Sequence, residues 1–410
     1  MKDKVNWLYI AVFFFLVCFF MQLYNFQMIW MLVGCGILCI CFLIKQKTIR
    51  IDLGIIFLAI TMYSFYIIQY GVRAVVTMIP YVPMVMYVLS SYYAGDLKKD
   101  STWEKKFFAI LFSLIIGYAI HGILNSYMYY AGYIKQGTRQ WYDFWSQSYL
   151  PATQHSLLYL PMLALFFPAI VWLRKAKIKN IVILILSFLF LYTSVVTKSR
   201  IPILIAAMVF CGEAVLYFVL EGKIIRKIFS DKKTWIALAG IIFVIVIIGF
   251  FAKDIELIRT FIDSFSRGGG ILHNVRFEVQ AKALQQLFDY PMGGHQMDLF
   301  VDYDRMYIHN VWLDMANASG LIPFFAFVIF TVYSIINLLL FLRKNDISTE
   351  IKIVTTGLYM TFFLFYSVEP ALDSSIYYMT PWMMINGLIQ GTLSKGGIKL
   401  KFLRRSTNEG

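Results

Sequence analysis

The sequence predicts an all-α, polytopic integral membrane protein with about 12 transmembrane helices, and three observations support this fold class. The 410 residues are 60% hydrophobic and only 15% charged, whereas soluble domains carry about 25% charged residues. Long apolar runs recur along the whole chain. Every second segment that connects two such runs is rich in Lys and Arg. This composition excludes a soluble globule, a disordered chain and a nucleic-acid-binding protein.

The apolar runs set the number of predicted spans, because a helix needs about 20 mostly apolar residues to cross a bilayer. The run at 311–342 is too long for one crossing, so its first part is expected at the membrane interface and the crossing near 320–341. We predict twelve spans: 6–23, 26–44, 53–70, 74–93, 107–131, 157–173, 180–197, 201–220, 234–252, 311–342, 353–368 and 376–394.

The basic residues orient these spans, because cytoplasmic loops carry an excess of Lys and Arg. With the N-terminus in the cytoplasm, every predicted cytoplasmic segment is basic, which also explains the net charge of +14. Both termini are therefore expected in the cytoplasm, and residues 1–410 are expected to form a single polytopic membrane domain. The largest loop, 253–310, then lies on the extracytoplasmic side between the ninth and tenth spans.

The large loop contains a predicted amphipathic helix at 274–289. A helix of this kind lies on a membrane surface, and it would hold Arg276 near the depth of lipid phosphates. Glu278, Lys282, Gln285 and Asp289 are expected on the polar side. The apolar stripe that predicts the helix consists of residues at helical spacing, namely Phe277, Ala281, Leu284 and Phe288.

Two further candidate residues lie at membrane edges. Arg200 follows Ser199 in the short outer turn before the eighth span. Its guanidinium would either reach the interface for solvation or bind the oxygens of a phosphate. His309 lies where the large loop re-enters the membrane. Its imidazole would be either a plain interfacial group or a general base that works near neutral pH.

Three segments together resemble the O-antigen polymerase and O-antigen ligase family of bacterial surface-polysaccharide assembly. The segment TKSRIPILIA at 197–206 is similar to the family's Ser-Arg turn, although Ile201-Pro202 replaces the Gly that often follows. The segment NVRFEVQAKALQQLFDYPMGGH at 274–295 is similar to its Arg-led helix and Pro-x-Gly turn. The segment HNVWLDMANASGLIPFFAF at 309–327 is similar to its His-Asn segment, and the resemblance covers roughly residues 197–330.

The resemblance implies a metal-independent fold similar to the GT-C glycosyltransferases, in the bacterial cytoplasmic (inner) membrane. The implied reaction transfers a glycan from a polyprenyl (undecaprenyl) diphosphate donor to a hydroxyl of an acceptor on the outer side. A polymerase extends O-antigen, capsule or exopolysaccharide on another lipid-linked repeat unit, whereas a ligase uses a different carrier, and we favour the polymerase. The implied partners are lipid-linked oligosaccharide, membrane lipid, a chain-length regulator and a flippase.

The candidate residues suit this reaction, because negative charge grows on the diphosphate as the glycosidic bond breaks. Arg200 and Arg276 are expected to stabilise that charge, and His309 is expected to accept the proton of the acceptor hydroxyl. Glu369, in a short outer loop, would orient His309, bind sugar hydroxyls or be a plain loop carboxylate. The expected substrate-binding residues are Arg73, Arg139, Arg267 and Glu369.

A metal site has weaker support in the sequence. Asp302 and Asp304 resemble the paired carboxylates of metal-dependent glycosyltransferases, but a solvated acidic loop is the simpler interpretation. The spacing of His273, His295 and His309 matches no short zinc motif. We therefore predict no metal and no cofactor.

The remaining polar and aromatic signals fall in or near the fifth span and the loop that follows it. The loop 132–156 is rich in aromatic residues, which would form an interfacial belt or stack on sugars. His121 and Asn125 lie one helical turn apart inside the span, and a buried hydrogen-bond pair between helices is the simpler interpretation.

Transport is the alternative class of function. A flippase or secondary transporter is expected to have repeat-related halves, broken helices and ionisable residues near the membrane midplane. We find none of these clearly in the sequence, and the single large outer loop favours an enzyme that works at one face.

Overall fold

The computed structural model describes residues 7–25, 28–75, 80–97, 101–133, 140–172, 177–197, 199–221, 275–294, 308–369, 376–394 and 398–399. Most of these residues are helical, as the sequence predicts. The α-helices are α1 (Trp7–Phe20), α2 (Met28–Gln46), α3 (Leu53–Tyr70), α4 (Tyr81–Leu97), α5 (Trp103–Tyr130), α6 (Ala152–Leu163), α7 (Phe166–Val171), α8 (Lys177–Val196), α9 (Arg200–Leu220), α10 (Val275–Gln285), α11 (Val311–Ser319), α12 (Leu321–Leu342), α13 (Thr349–Val368) and α14 (Thr380–Leu393).

The remaining regular structure is short. Turns of 3-10 helix lie at Leu23–Asn25, Val72–Val75, Gln286–Phe288 and Ile376–Met379. Two antiparallel ribbons are present among the described residues. They pair β1 (Thr48–Ile49) with β4 (Ile398–Lys399), and β2 (Gln140–Tyr142) with β3 (Tyr149–Pro151).

Six of the described helices, namely α3, α5, α8, α9, α12 and α13, are long and apolar enough to cross a membrane. Large apolar side chains such as Ile185, Met208 and Leu339 are exposed on these helices, as expected for side chains that face lipid. A helix satisfies all its own backbone hydrogen bonds, which lipid requires of a spanning segment. The chain is therefore an all-α membrane protein. The predicted ninth span, 234–252, lies outside the described residues, as does most of the loop 253–310.

The predicted break in the run 311–342 is confirmed at Gly320, between α11 and α12. Gly320 has a φ of 81°, and a Cβ at this position would overlap the carbonyl oxygen of Pro291. Two hydrogen bonds join residues 291–294 to the junction of α11 and α12. The Leu321 amide donates to Pro291 O at 2.9 Å, and the Gly294 amide donates to Asn317 O at 2.8 Å. Only glycine fits this conformation and this close approach.

The predicted sixth span, 157–173, is divided into α6 and α7 at Ala164 and Leu165. Pro168, the third residue of α7, has no amide to donate to the Ala164 carbonyl oxygen, and its ring crowds that carbonyl group. The single continuous helix expected from apolar length is therefore two shorter helices.

The chain divides into two compact units. The first comprises Met1–Ile120, Val275–Ile347 and Phe362–Gly410, and the second comprises His121–Asn274 and Ser348–Thr361. Within the first unit, α4 and α14 pack closely together at Gly387 and Gly391, which are four residues apart. A Cβ at either glycine would overlap a carbonyl oxygen of α4, at Tyr87 or Ser91. Small residues at this spacing let the backbones of membrane helices pack together.

Candidate active site

His309 lies two residues before the start of α11. Asn310 caps this helix, since its side-chain oxygen accepts the Leu313 amide at 3.2 Å. The backbone of His309 has a φ of 59°, in the left-handed region. His enters that region more readily than most residues, but holding a residue there costs about 1–3 kcal/mol. The surrounding contacts therefore have to fix this conformation.

Glu369 is an acidic neighbour of His309. It follows directly after the last residue of α13, and its Oε2 lies 3.5 Å from His309 Nδ1. This separation is within the range of an ion pair and longer than an N–H···O hydrogen bond. The His309 side chain is 18% exposed and that of Glu369 is 4% exposed, so the pair is open to a solute from the side of the imidazole. The structure thus brings together two of the predicted site residues.

The start of α11 is held against α12 and α13. Trp312 Nε1 donates to Thr331 Oγ1 at 2.9 Å, and its ring packs on Phe327 and Phe363 with centroid separations of 5.8 and 5.4 Å. Asn310 Nδ2 lies 3.5 Å from the Ser367 carbonyl oxygen, two residues before Glu369. These contacts connect the backbone that carries the imidazole to the backbone that carries the carboxylate.

Asp314 is a residue that the sequence analysis missed. Its Oδ1 accepts the Ile308 amide at 2.8 Å, and its Oδ2 accepts the Asn310 amide at 3.1 Å. The two amides flank His309 on either side. The available signal was an acidic residue in the first turn of a helix, where it favours the helix N-terminus.

The predicted amphipathic helix is present as α10 followed by the 3-10 turn Gln286–Phe288, but its packed face differs from the prediction. Val279, Ala283 and Leu287 are buried, and the first two pack with Ile308. The predicted apolar stripe is exposed instead, with exposed fractions of 55% for Phe277, 57% for Leu284 and 68% for Phe288. The helix therefore has two apolar faces, because the aliphatic residues Val279, Ala283 and Leu287 recur at helical spacing beside the stripe that contains Phe277 and Phe288.

Position 276 lies on the side of the α10 backbone that is packed against its neighbours. Val279, Ala283 and Leu287 follow it by three, seven and eleven residues, a spacing that keeps residues on one side of a helix. That side of α10 packs on Ile308, which is the neighbour of His309 along the chain. Gln280 reaches the same segment, since its Nε2 lies 3.3 Å from Ile308 O and 3.4 Å from His309 O.

The other predicted arginines lie elsewhere in the structure or outside the described residues. Arg200 is the first residue of α9, half-buried, and follows the buried Ser199. It belongs to the second unit, whereas His309, Glu369 and Arg276 belong to the first. Arg73 is exposed in the 3-10 turn after α3. Predicted residues outside the described ranges are Arg139, Arg267, His273, His295, Asp302 and Asp304.

A second His–carboxylate pair lies buried in the second unit. His121 Nε2 is 2.7 Å from Asp143 Oδ2, and Asn125 Nδ2 donates to the same oxygen at 2.9 Å. Asn125 Nδ2 is also 2.9 Å from His155 Nδ1. His121 and Asn125 are thus buried and hydrogen-bonded as predicted, and Asp143 is the shared partner that the sequence analysis missed.

The pKa shifts and the burial of this cluster indicate that it stabilises the structure and does not take part in chemistry. Burial raises the pKa of Asp143, but hydrogen bonds from His121, the Ser146 amide and Asn125 outweigh it and leave that pKa below its usual value. Burial lowers the pKa of His155 to about 4, so its imidazole is neutral near pH 7. All four side chains are at most 2% exposed, which leaves no access for a substrate.

Trp141 of the aromatic loop is buried, although the sequence predicts it at the surface. Trp141 is 3% exposed. It stacks on Tyr129 with a centroid separation of 4.4 Å and on His155 with a separation of 5.4 Å. For Trp141, the predictions of an interfacial belt and of a sugar platform are therefore wrong, because the β2–β3 ribbon turns the ring inward.

Glu213 is a third residue that the sequence analysis missed. It lies inside α9 with 1% of its surface exposed, and neither carboxyl oxygen has a hydrogen-bond partner among the residues that the structure describes. A Cβ at Gly357 of α13 would overlap this carboxyl group, so the side chain lies directly on the α13 backbone. An acidic residue within an apolar run was the signal for it.

Among the described residues, no group of three or more His, Cys, Asp and Glu is arranged to hold a metal ion. No protein-family model matches this chain, and no curated protein matches it.

Proposed function

We propose that this protein is a membrane glycosyltransferase that polymerises polyprenyl-diphosphate-linked oligosaccharide repeat units at the outer face of the bacterial cytoplasmic membrane. One observation carries the proposal: His309 and Glu369 lie 3.5 Å apart at the ends of two helices, beside α10, whose second residue is the predicted phosphate ligand Arg276. The resemblance of the segments around Arg200, Arg276 and His309 to the polymerase and ligase family supports the same assignment.

The His309–Glu369 pair suits general base catalysis. The Glu369 carboxylate would favour the tautomer in which the proton stays on Nδ1, which faces it, and Nε2 is then unprotonated, as in other His–carboxylate pairs. Nε2 would then take the proton of the acceptor hydroxyl while that oxygen attacks the anomeric carbon. The bond from the anomeric carbon to the diphosphate oxygen breaks, its electron pair leaves with the diphosphate, and the anomeric configuration inverts.

Arginine side chains would stabilise the leaving group of the reaction. The leaving diphosphate gains negative charge, and guanidinium groups bind phosphate oxygens in pairs of hydrogen bonds without losing their own charge. Arg276 and Arg200 are the proposed charge-stabilising residues, with Arg73, Arg139 and Arg267 as further substrate-binding residues. Such a site needs no metal, since the arginines neutralise the charge themselves.

The proposed setting is a GT-C-like fold with twelve spans, cytoplasmic termini and the loop 253–310 outside. The six helices of spanning length support a membrane location, and the alternation of Lys and Arg supports the orientation. The polyprenyl tail would enter between helices from the outer leaflet.

A glycan gel tests the proposal, with cells that lack the gene complemented by each variant. His309→Asn removes the proton acceptor and keeps a residue that tolerates the left-handed backbone, so we expect membrane-inserted protein and single repeats without a ladder. Arg276→Ala should lower the rate roughly 10²–10³-fold, as loss of a charge-stabilising donor does in other enzymes. Arg343→Ala, an exposed arginine just after α12, is the matched control and should keep the ladder.

The same gel separates the alternatives. A ladder that persists with His309→Asn overturns the polymerase. Polymer that is made but fails to reach its final carrier indicates a ligase.

Transport is a second candidate because of Glu213 alone. Ionisable residues inside spanning segments are rare and mark proton and ion pathways, and Glu213 lies inside a predicted span. In a flippase, Glu213→Gln would stop glycan from reaching the outer leaflet, and His309→Asn would have no effect. In a polymerase, Glu213→Gln should leave the ladder intact, since glutamine keeps the size and the polar character of the side chain.

A further inference from the structure

We infer that Asp314 and Gln280 are positioning residues that clamp the backbone on both sides of His309 and so aim its imidazole at Glu369. The functional meaning of this clamp rests on the proposed role of His309 as the base. The geometry of the clamp is tested separately from activity.

The first half of the clamp is the Asp314 carboxylate. Its two oxygens accept two different amides, of Ile308 at 2.8 Å and of Asn310 at 3.1 Å. The residue between them is His309, whose φ of 59° is unfavourable unless its neighbours are held. A carboxylate can accept both amides at once, whereas the amide side chain of asparagine offers one oxygen and would turn its NH₂ group toward the second donor.

The second half is Gln280 of α10. Its Nε2 lies between the carbonyl oxygens of Ile308 and His309, at 3.3 and 3.4 Å. Val279 and Ala283 pack on Ile308 from the same helix. Asp314 of α11 thus binds the backbone amides of residues 308 and 310, and Gln280 of α10 binds the backbone carbonyl groups of residues 308 and 309.

The clamp accounts for how two residues far apart in sequence meet. α11 carries Asp314 and is held to α13 through Trp312 and Phe363, so the carboxylate and the end of α13 have a common frame. When Asp314 fixes residues 308 and 310 in that frame, the Cα–Cβ direction of His309 is fixed as well. Its Nδ1 then lies within 3.5 Å of Glu369 Oε2.

Modification of histidines by diethyl pyrocarbonate, quantified per residue by mass spectrometry on the full-length protein in detergent, tests the clamp. In the wild type, His309 should react slowly, and the buried His121 and His155 should react hardly at all. In Asp314→Asn, loss of one charge-assisted hydrogen bond should raise the His309 rate roughly tenfold, while His121 and His155 stay protected. These two histidines report whether a variant has unfolded as a whole.

Two matched controls accompany the variant. Asp52 also accepts a backbone amide at a helix start, that of Ile55 at 3.1 Å, together with the Tyr87 hydroxyl at 2.8 Å. Asp52→Asn should leave the His309 rate unchanged, because it loosens a different helix end. Gln285 is exposed on the same helix as Gln280, so Gln285→Ala controls for Gln280→Ala.

An unchanged His309 rate in Asp314→Asn overturns the inference. If all three histidines become reactive in that variant, Gln280→Ala decides, since it leaves the carboxylate and α11 intact. A rise at His309 alone then supports the clamp, and no rise rejects it. Activity is measured in parallel. If the clamp variants change the His309 rate but His309→Asn still makes the glycan ladder, the clamp stands and the proposed function fails.

Discussion

His121 Nε2 and Asp143 Oδ2 lie 2.7 Å apart in the interior of the second unit, where the side chains are 1% and 2% exposed. Asp143 also accepts the amides of Trp145 and Ser146 through its other oxygen, at 3.2 and 2.8 Å. One carboxylate therefore fastens the turn between β2 and β3 to α5. This pair stabilises structure, whereas the more open His309–Glu369 pair is the one available for chemistry.

The first prediction concerns Asp143. In Asp143→Asn the NH₂ group of the new side chain faces buried donors on one side, so at least one of them loses its acceptor. We expect a loss of roughly 2–3 kcal/mol in the free energy of unfolding, measured as a lower unfolding midpoint in detergent. Asp346, in an exposed turn, provides the control variant Asp346→Asn, which should keep the wild-type midpoint. Equal midpoints for both variants would show that the cluster does not stabilise the unit.

The second prediction concerns pH. An unfolded histidine binds a proton below pH ~6.5, whereas folded His155 stays neutral until the pH approaches its lowered pKa of about 4. The unfolded chain binds more protons in that window, so stability should decrease as the pH falls from 6.5 to 4, by about 3 kcal/mol in all. His155→Gln cannot bind this proton, and its midpoint should depend less on pH.

Asp143 does not interfere in that window. Its folded pKa is depressed, so its contribution is complete above the usual Asp value of about 3.9 and is lost only as the pH falls further. A wild-type and a His155→Gln protein with the same pH dependence between 6.5 and 4 would contradict the assignment.

The third prediction concerns the approach of α4 and α14. Gly391→Ala puts a methyl group in steric overlap with the Ser91 carbonyl oxygen, so the helices have to separate, and we expect a loss of roughly 1–3 kcal/mol in the free energy of unfolding. Gly36→Ala in α2 is matched, because a Cβ there meets no atom within 4 Å. That control should be neutral or stabilising, since Ala is the better helix former. A thermal scan of both proteins in detergent checks the sign, and a Gly391→Ala protein as stable as Gly36→Ala would be the contrary result.

The fourth prediction concerns the exposed stripe of α10. If the helix lies on the membrane surface, Phe288 contacts lipid and its neighbour Asp289 faces water. A benzophenone amino acid placed at position 288 should therefore form lipid adducts on illumination in membranes, and one at position 289 should form few. Equal yields at the two positions would place this face of α10 away from the bilayer.

The helices were predictable from the sequence because each depends on a local property. An apolar run of spanning length has to be helical in lipid, where the backbone finds no other hydrogen-bond partner. α3 therefore begins and ends where predicted, at 53–70, and Gly320 divides the run 311–342 because glycine permits the turn. The candidate residues His309 and Glu369 were likewise visible as polar groups at the edges of apolar runs.

Their partners were not visible, because a hydrogen bond between distant segments depends on how helices pack. Nothing near Asp143 in the sequence indicates that His121 and Asn125 share its carboxylate, and nothing near Asp314 indicates that it holds both amides around His309. The stripe of α10 illustrates the same limit: Phe277 and Val279 are both apolar, and only the contact with Ile308 decided which of them was buried. Local chemistry set the helices and their polar ends, and side-chain packing between helices decided which ends meet.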